Sequence, residues 1–600
     1  MSNSLSIFLT NYILSLLERT RKEKAGIKFG FDWIIYNLGL VKDWIPIRLP
    51  FIRQPQEEAV KIKTEAEFGE DICFLTPDKG ELLIFVLKDE VLNNQNWIPK
   101  NFDADIRKAA APDLSHTELS SIESVKVILA YNKDEDKNGI ELFDRLISTM
   151  PSKIKNDISL SFERWNVTKL VEEVKEHLFT PDLLPQHLAG LFTYIYSQVS
   201  DFSFSTKEWE DQLIPNWKNF LNLLIDDPID ERKLRLLPIT LFILYENRKK
   251  TPDADPGWID LIEWAMLYMW DKFKKTDNGD FKKIIVEIWQ ALYIAELERY
   301  FVENSAALLT EHGIHSRKRS LRLTPINDAF IAFWHLGRLG ILNIAPQQFF
   351  DADVVEEAQL LQEWIKRSSD WLISCLRLNP STLRPLIDLH HIELFLIWET
   401  LWQAGRKDEI YAWLSRLETY LIVRRSGQSH IPFIESRNRF DLVIEYVTLN
   451  APPSEYTEKS SYLLLMLLEL CLSLDDKYRE ELLNRYFNRI VRGIGDDGKS
   501  FSDFEIDLIG WVPPVDWSQR VLKESVQDGI AIATGNFDGI QKEDTPLSDR
   551  VRNYISKTRE KFPFQLPTDI PLVVYVLACI KNRSPLPSEF WREYILPTEK

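Results

Sequence analysis

Residues Lys61–Val91 read KIKTEAEFGEDICFLTPDKGELLIFVLKDEV, and here acidic groups, an apolar strand and a lysine fall together. The alternation over Phe68–Leu75 predicts a strand, Thr76–Gly80 supplies a turn, and Glu81–Val91 predicts a second strand with an unbroken apolar middle. Together they predict a hairpin. Strand side chains alternate with period two, so Val86, Lys88 and Glu90 are expected on one face, and Leu87 and Asp89 on the other. Asp71, near the middle of the first strand, is then expected to face Lys88. The same residues also fit an ordinary amphipathic hairpin whose charges are solvated.

Working outward, Ser4–Lys24 reads as an amphipathic helix with Leu5, Phe8, Leu9, Tyr12 and Leu16 on one face. Trp44–Arg53 predicts a strand that Pro46 and Pro50 place at an edge or make irregular. Downstream, Asn101–Ala111 reads as a helix capped by Asn101 or Asp103 and stopped by Pro112. Val125–Tyr131 is a buried strand, Asn138–Met150 a helix, Ile158–Trp165 a further strand and Thr168–Leu178 a helix. That alternation predicts an α/β domain over residues 1–180, a mixed sheet flanked by helices.

A carboxylate on one strand beside a lysine on the next resembles the core of the PD-(D/E)xK nuclease-like superfamily. GEDICFL supplies its Asp as Asp71, and VLK its lysine as Lys88. The order helix, strand, strand, strand, helix, strand, helix, strand, helix over about the first 180 residues resembles that family's order too, and implies a restriction-endonuclease-like fold. The resemblance implies hydrolysis of phosphodiesters in DNA or RNA with Mg2+ held by Asp71 together with Glu90 or Glu70. It assigns Lys88 to position and polarise the attacking water. The sequence departs from the pattern at Val86, which stands where the family has its second carboxylate or amide. Glu90, Glu70 and Glu67 are the candidate replacements. Glu18 is the candidate for the family's helix glutamate and equally an exposed helix-end residue. Such domains joined to large helical regions resemble components of bacterial defence or mobile-element systems. A scaffold that keeps the fold without the chemistry is the alternative.

The chain has 600 residues, too many for one core. With 45% hydrophobic residues, 12% aromatics and 19 Trp it can bury large cores. A net charge of −18 opposes non-specific attraction to phosphate backbones and anionic membranes, so any nucleic-acid contact needs a local basic patch. Cys73, Cys375, Cys471 and Cys579 are too scattered for a metal pair and read as buried apolar residues in a reducing cytoplasm. Neither a targeting segment nor a run long enough to span a membrane is legible.

From Leu183 onward the spacing of apolar residues turns helical, through Leu234–Tyr245, Trp258–Trp270, Phe281–Tyr300, Asp328–Gly340, Glu356–Leu376, Ile387–Ala404, Asp408–Val423, Ser460–Leu474 and Tyr478–Val491. This predicts a long all-α array without a fixed repeat. A break near Ala345–Asp353 divides it into a helical lobe over 181–345 and a second lobe over 346–600 with an irregular C-terminal region. The array is the expected site of a protein partner.

Three other motifs invite functional readings. Gly493–Ser500 (GIGDDGKS) satisfies the phosphate-loop pattern, but it follows a helical segment, and Asp496 and Asp497 would oppose a nucleotide; a glycine-rich turn is expected. Arg317, Lys318, Arg319 and Arg322, with Arg424, Arg425 and His430, form either a phosphate-binding patch or solvated loops. His312, His315, His390, His391 and Glu393 lack a zinc-type spacing and read as structural. No nucleophile motif is present.

Overall fold

In the computed structural model the described residues are 31–48, 72–112, 119–178, 186–200, 212–225, 231–249, 257–273, 289–314, 323–349, 355–534 and 545–597, with scattered positions elsewhere. The chain divides into two compact units, residues 1–262 and 263–600.

The first unit is built on a five-stranded mixed sheet. Helix α1 (Phe31–Val41) precedes β1 (Ile45–Arg48), β2 (Ile72–Leu75) and β3 (Glu81–Lys88); the short α2 (Asn94–Trp97) and α3 (Phe102–Ala109) lead to β4 (Ser124–Tyr131). Helix α4 (Lys137–Ser148), β5 (Ser159–Trp165) and α5 (Val167–Glu173) complete the sequence. The strands lie in the order β1-β2-β3-β4-β5. β1, β2 and β3 pair antiparallel, with Ile72 opposite Phe85, whereas β3, β4 and β5 run parallel, with Val86 opposite Leu129 and Lys88 opposite Tyr131.

The unbroken apolar run of β3 follows from this topology, because a strand flanked by a parallel neighbour is covered on both faces. Leu82, Ile84 and Val86 pack with Phe102 and Ile106 of α3 and with Leu129 and Tyr131 of β4. On the opposite face Phe85 meets Phe74 at 6.0 Å and Trp165 at 5.2 Å between ring centroids. The expected hairpin, helix and buried strands over residues 72–178 are all present.

Several expectations need correction. Helix α1 is absent from the sequence prediction, since FDWIIYNLGLV carries too few polar residues to show a helical period. Asn101 stands at the N-cap of α3 with φ +58° and no side-chain capping bond, so its left-handed turn, not a cap, starts that helix. The described part of β1 is Ile45–Arg48, and β3 ends at Lys88. Of the predicted first helix, residues 6, 9, 10 and 12–14 are described, and they are helical.

Three further helices of the first unit, α6 (Gln186–Ser200), α7 (Ile214–Leu224) and α8 (Glu231–Lys249), follow the sheet, and α9 (Gly257–Phe273) crosses into the second unit. The second unit is rich in helices, but an all-α array is not what it forms. Its helices are α10 (Ala295–Leu308), α11 (Thr324–Phe349), α12 (Val355–Leu378), α13 (His391–Gln403), α14 (Lys407–Arg425), α15 (Phe440–Leu449), α16 (Tyr462–Cys471), α17 (Asp476–Arg485), α18 (Trp517–Arg520), α19 (Leu547–Lys561), α20 (Leu572–Asn582) and α21 (Glu589–Ile595). Among them lies a three-stranded sheet of β6 (Ser460–Ser461), β7 (Asp507–Val512) and β8 (Ile530–Ala533). Strands of two to six residues are too short to show period two against a helical background.

Helices α11 and α13 approach closely at Gly340, where a Cβ atom would lie 2.5 Å from Leu396 Cβ. Gly340→Ala is therefore expected to lose about 1–2 kcal/mol in urea unfolding, the clash outweighing the roughly 1 kcal/mol gained in helix propensity. A stability equal to or above the native chain's would show that the two helices can separate freely.

Candidate functional site

Of the residues nominated by the hairpin, Lys88 and Glu90 are among those described. Lys88, the last residue of the strand, projects to the α3 face beyond Val86. Its ammonium lies 2.5 Å from Asp105 Oδ2 and 5.8 Å from the centre of the Phe102 ring. Asp105 is the second carboxylate to emerge in the first half of α3, next to the buried Ile106. It also stands 3.7 Å from Lys108 Nζ. The Lys88 side chain is 11% exposed and that of Asp105 20%, so the pair is largely withdrawn from water.

Val86 is fully buried in the apolar cluster under α3. The position where the family carries its second metal ligand is thus a packing position. Glu90 is corrected from its expected place on the strand face: β3 has ended, Leu92 N donates to Asp134 O, and Glu90 pairs with Lys100 in the connection between α2 and α3. Asp71, Glu70, Glu67 and Glu18 lie outside the described residues. Among the described residues no three His, Cys, Asp or Glu side chains form a group able to hold a metal ion. The carboxylate described beside the Lys88 ammonium is that of Asp105.

A second polar cluster stands at the carboxyl ends of β4 and β5, the edge where open α/β sheets place ligands. Glu135 accepts from the Tyr131 hydroxyl, from Arg164 Nη1 at 2.6 Å and from Asn166 Nδ2 at 3.0 Å. Asn166 in turn accepts from Lys169 N at 3.0 Å and so caps α5. Arg164 lies over the Phe143 ring, 5.5 Å from its centre. Burial and the neighbouring Glu135 carboxylate both push the Tyr131 hydroxyl's pKa up, so it serves as a donor and not as a base. No protein-family model, no curated protein and no solved structure matches the chain.

Sequence reading missed Asp105 and the Glu135 cluster for the same reason. Each contact joins residues on different elements, 17 positions apart for Lys88 and Asp105 and 29 for Arg164 and Glu135, where no within-strand spacing rule reaches. The two aspartates opening α3, Asp103 and Asp105, were the available signal.

Gly493–Ser500 follows a π-helical turn, Tyr486–Val491, and closes on itself: Gly495 N donates to Lys499 O at 2.8 Å and Phe501 N to Gly493 O at 2.8 Å. Gly493 has φ +67°, and a Cβ there would meet Ser502 Cβ at 2.6 Å, which explains the glycine. Arg424 and Arg425 leave the expected basic patch: Arg424 donates to the carbonyls of Pro385 and Pro432, and Arg425 to those of Ile490 and Phe504. Arg317, Lys318, Arg319, Arg322 and His315 lie outside the described residues.

His390 and His391 are buried and held by the backbone. Leu386 N donates to His390 Nδ1 at 3.0 Å, and Leu586 N donates to His391 Nε2 at 3.0 Å, leaving His391 Nδ1 to donate to Asp388 O at 2.9 Å. Burial holds their pKa values down, at about 3 and about 4. Both rings stay neutral, as structural histidines do.

Glu393 lies on α13 beside Gly337 of α11, and among the described residues its buried Oε2 has no hydrogen-bond partner. Burial raises its carboxyl to about 7, against a small lowering by its own backbone and by Arg338. Between pH 4.5 and 7 the folded protein therefore holds a proton that the unfolded chain has released, and this group's contribution falls as pH rises through that window. Glu393→Gln is expected to remove that slope. Stability measured by urea at pH 8 relative to pH 5 should improve by about 1–3 kcal/mol over the native chain. Equal pH dependence in the two proteins would show that Glu393 is not buried as a neutral acid.

Proposed function

We propose that the first unit is a nuclease-like domain, of restriction-endonuclease type, that no longer performs metal-dependent hydrolysis and serves as a scaffold. Its helix-rich companion would then be the surface for a protein partner. The observation that carries this reading is the environment of the motif. Val86 fills the apolar core where a ligand would stand, and the charge of Lys88 is already balanced by Asp105. A lysine so balanced has less charge left to polarise a water or offset a scissile phosphate. The order of helices and strands supports the nuclease-like fold, and the parallel β3, β4 and β5 put Lys88 at a carboxyl edge.

One observation favours the catalytic reading, a phosphodiesterase using Mg2+ held by Asp71 with Glu90 or Glu70. Asp105 brings an acid to Lys88 in place of the one missing at Val86. A cytoplasmic component of a bacterial defence or mobile-element system, acting on DNA or RNA or beside a protein that does, fits either reading. Among the described residues no helix is long and apolar enough to cross a membrane.

Titration of the full chain with Mn2+, followed by the paramagnetic resonance signal of the free ion, tests the choice. The scaffold reading expects no saturable site whose occupancy changes in Lys88→Ala or Asp71→Ala. A site of micromolar to millimolar affinity lost in Asp71→Ala would restore the enzyme.

A further inference from the structure

Helix α10 turns an apolar stripe to solvent. Val302 is 52% exposed and Leu309 37%, and Ala306 between them is exposed as well. Spacings of four and three residues put the three on one helical face. Leu309 N donates to Ser305 O at 2.8 Å and so carries that face past the last residue of the helix. Beside the stripe the short Ser305 side chain leaves a shallow cleft, walled by Leu308, Leu309, Leu339, Trp371 and Cys375. Single exposed apolar side chains are ordinary, whereas a stripe of them next to an apolar cleft marks a contact surface.

This face supplies its own complement. We propose that α10 is the seam of a homodimer, packed antiparallel on α10 of a second copy about a two-fold axis between Ser305 and Ala306. Each Val302 then meets the partner's Leu309, and the contact is made twice, as in any isologous interface. Ser305 and Ala306 at the axis are small enough for the two backbones to come close, and the partner's stripe covers the cleft.

Charge favours both the occupant and its direction. Glu296, Glu298, Arg299 and Glu303 lie in the first part of α10, whereas Asn304–Thr310 (NSAALLT) carries no charge. Antiparallel packing sets Glu303 beside the partner's uncharged half; parallel packing would set Glu303 against Glu303, at the cost of like charges in contact. A chain of net charge −18 repels its own copies over most of its surface, and this uncharged stretch is a place where it does not. A basic or acidic partner would find no opposite charge on the stripe to engage. A contact one helix long, about 21 Å for the 14 residues of α10, is smaller than a standard interface, so the dimer is expected to be weak, with a Kd in the micromolar range or above.

Sedimentation velocity of the full chain over about 1–100 µM should show the mean mass rise from 70.4 kDa towards twice that value. Raising NaCl from about 0.05 to about 0.5 M should strengthen association, because screening relieves repulsion between the two acidic chains. Val302→Lys sets a charge in the seam at a position exposed in the single chain, and should weaken the dimer about tenfold or more with the melting temperature unchanged. Should the lysine lower the melting temperature, Val302→Ser carries the measurement, with an expected loss of about fivefold. Ala306→Cys, beside the axis, should join two chains through a disulfide under mild oxidation, and Thr419→Cys on the exposed face of α14 should not; the four native cysteines are buried and free.

A chain that stays monomeric up to about 100 µM would overturn the proposal. So would a dimer that the folded Val302 variant leaves intact, or cross-linking of Thr419→Cys as fast as that of Ala306→Cys. Each of these results leaves the scaffold reading of the first unit as it stands, since none of them touches β3.

Discussion

Glu469→Ala is expected to cost the second unit about 3–5 kcal/mol, the range for breaking a buried ion pair from one side. Glu469 on α16 and Arg592 on α21 are both buried and face each other through two bonds, Nε to Oε2 at 3.1 Å and Nη2 to Oε1 at 2.6 Å. Trp591 Nε1 donates to the same carboxylate at 2.6 Å. Burial alone would pull the pKa of the guanidinium down, but the Glu469 carboxylate reverses that and holds Arg592 charged. Removing the carboxylate leaves the buried cation beside Glu589 at 3.5 Å and the Tyr554 ring at 5.7 Å, and leaves the indole N–H without this acceptor. Glu469→Gln keeps an acceptor and should lose less. Urea unfolding followed by tryptophan fluorescence measures both. A loss below about 1 kcal/mol for Glu469→Ala would mean that water reaches Arg592.

Val86→Glu would supply the acid that the nuclease-like pattern carries two residues before its lysine, and stability rather than activity is the quantity it should change. Val86 is fully buried among Ile84, Phe102, Ile106 and Leu129, with Phe85 and Leu87 turned to the other face. Burying a carboxylate there without a prepared partner should destabilise the first unit by several kcal/mol at pH 8. Its pKa would be raised by burial, so the loss should shrink at pH 5, where the group takes up a proton. Hydrogen exchange of the β3 and β4 amides localises the effect to this unit. A Val86→Glu protein as stable as the native chain, and binding Mn2+, would show that the end of β3 keeps an open ligand position.

The sheet was legible in the sequence where burial on both faces wrote it plainly. ELLIFVLK and VKVILAY are continuous apolar runs because β3 and β4 are covered on both sides. Helix α1 was not legible, because a helix apolar nearly all round shows no period. Glu90 was misplaced by assuming that the strand continues to Val91, when the backbone leaves the sheet after Lys88. Lys88 was found by its spacing from Val86, but its partner Asp105 was not, since strand periodicity cannot see a helix packed above it. In the second unit the helical texture was clear, whereas β8, with the pattern IAIA, carries too few residues to stand out.

On the proposed scaffold reading, Lys88 at the end of β3 stands in a nuclease-like pattern without hydrolytic function. The measurement that tests it most directly is cleavage of single-stranded and double-stranded DNA and RNA by the purified full chain with Mg2+ or Mn2+, beside Lys88→Ala and Asp71→Ala. The scaffold account predicts no metal-dependent cleavage by the native chain above the level of the two variants. Cleavage by the native chain that disappears in both variants would contradict it.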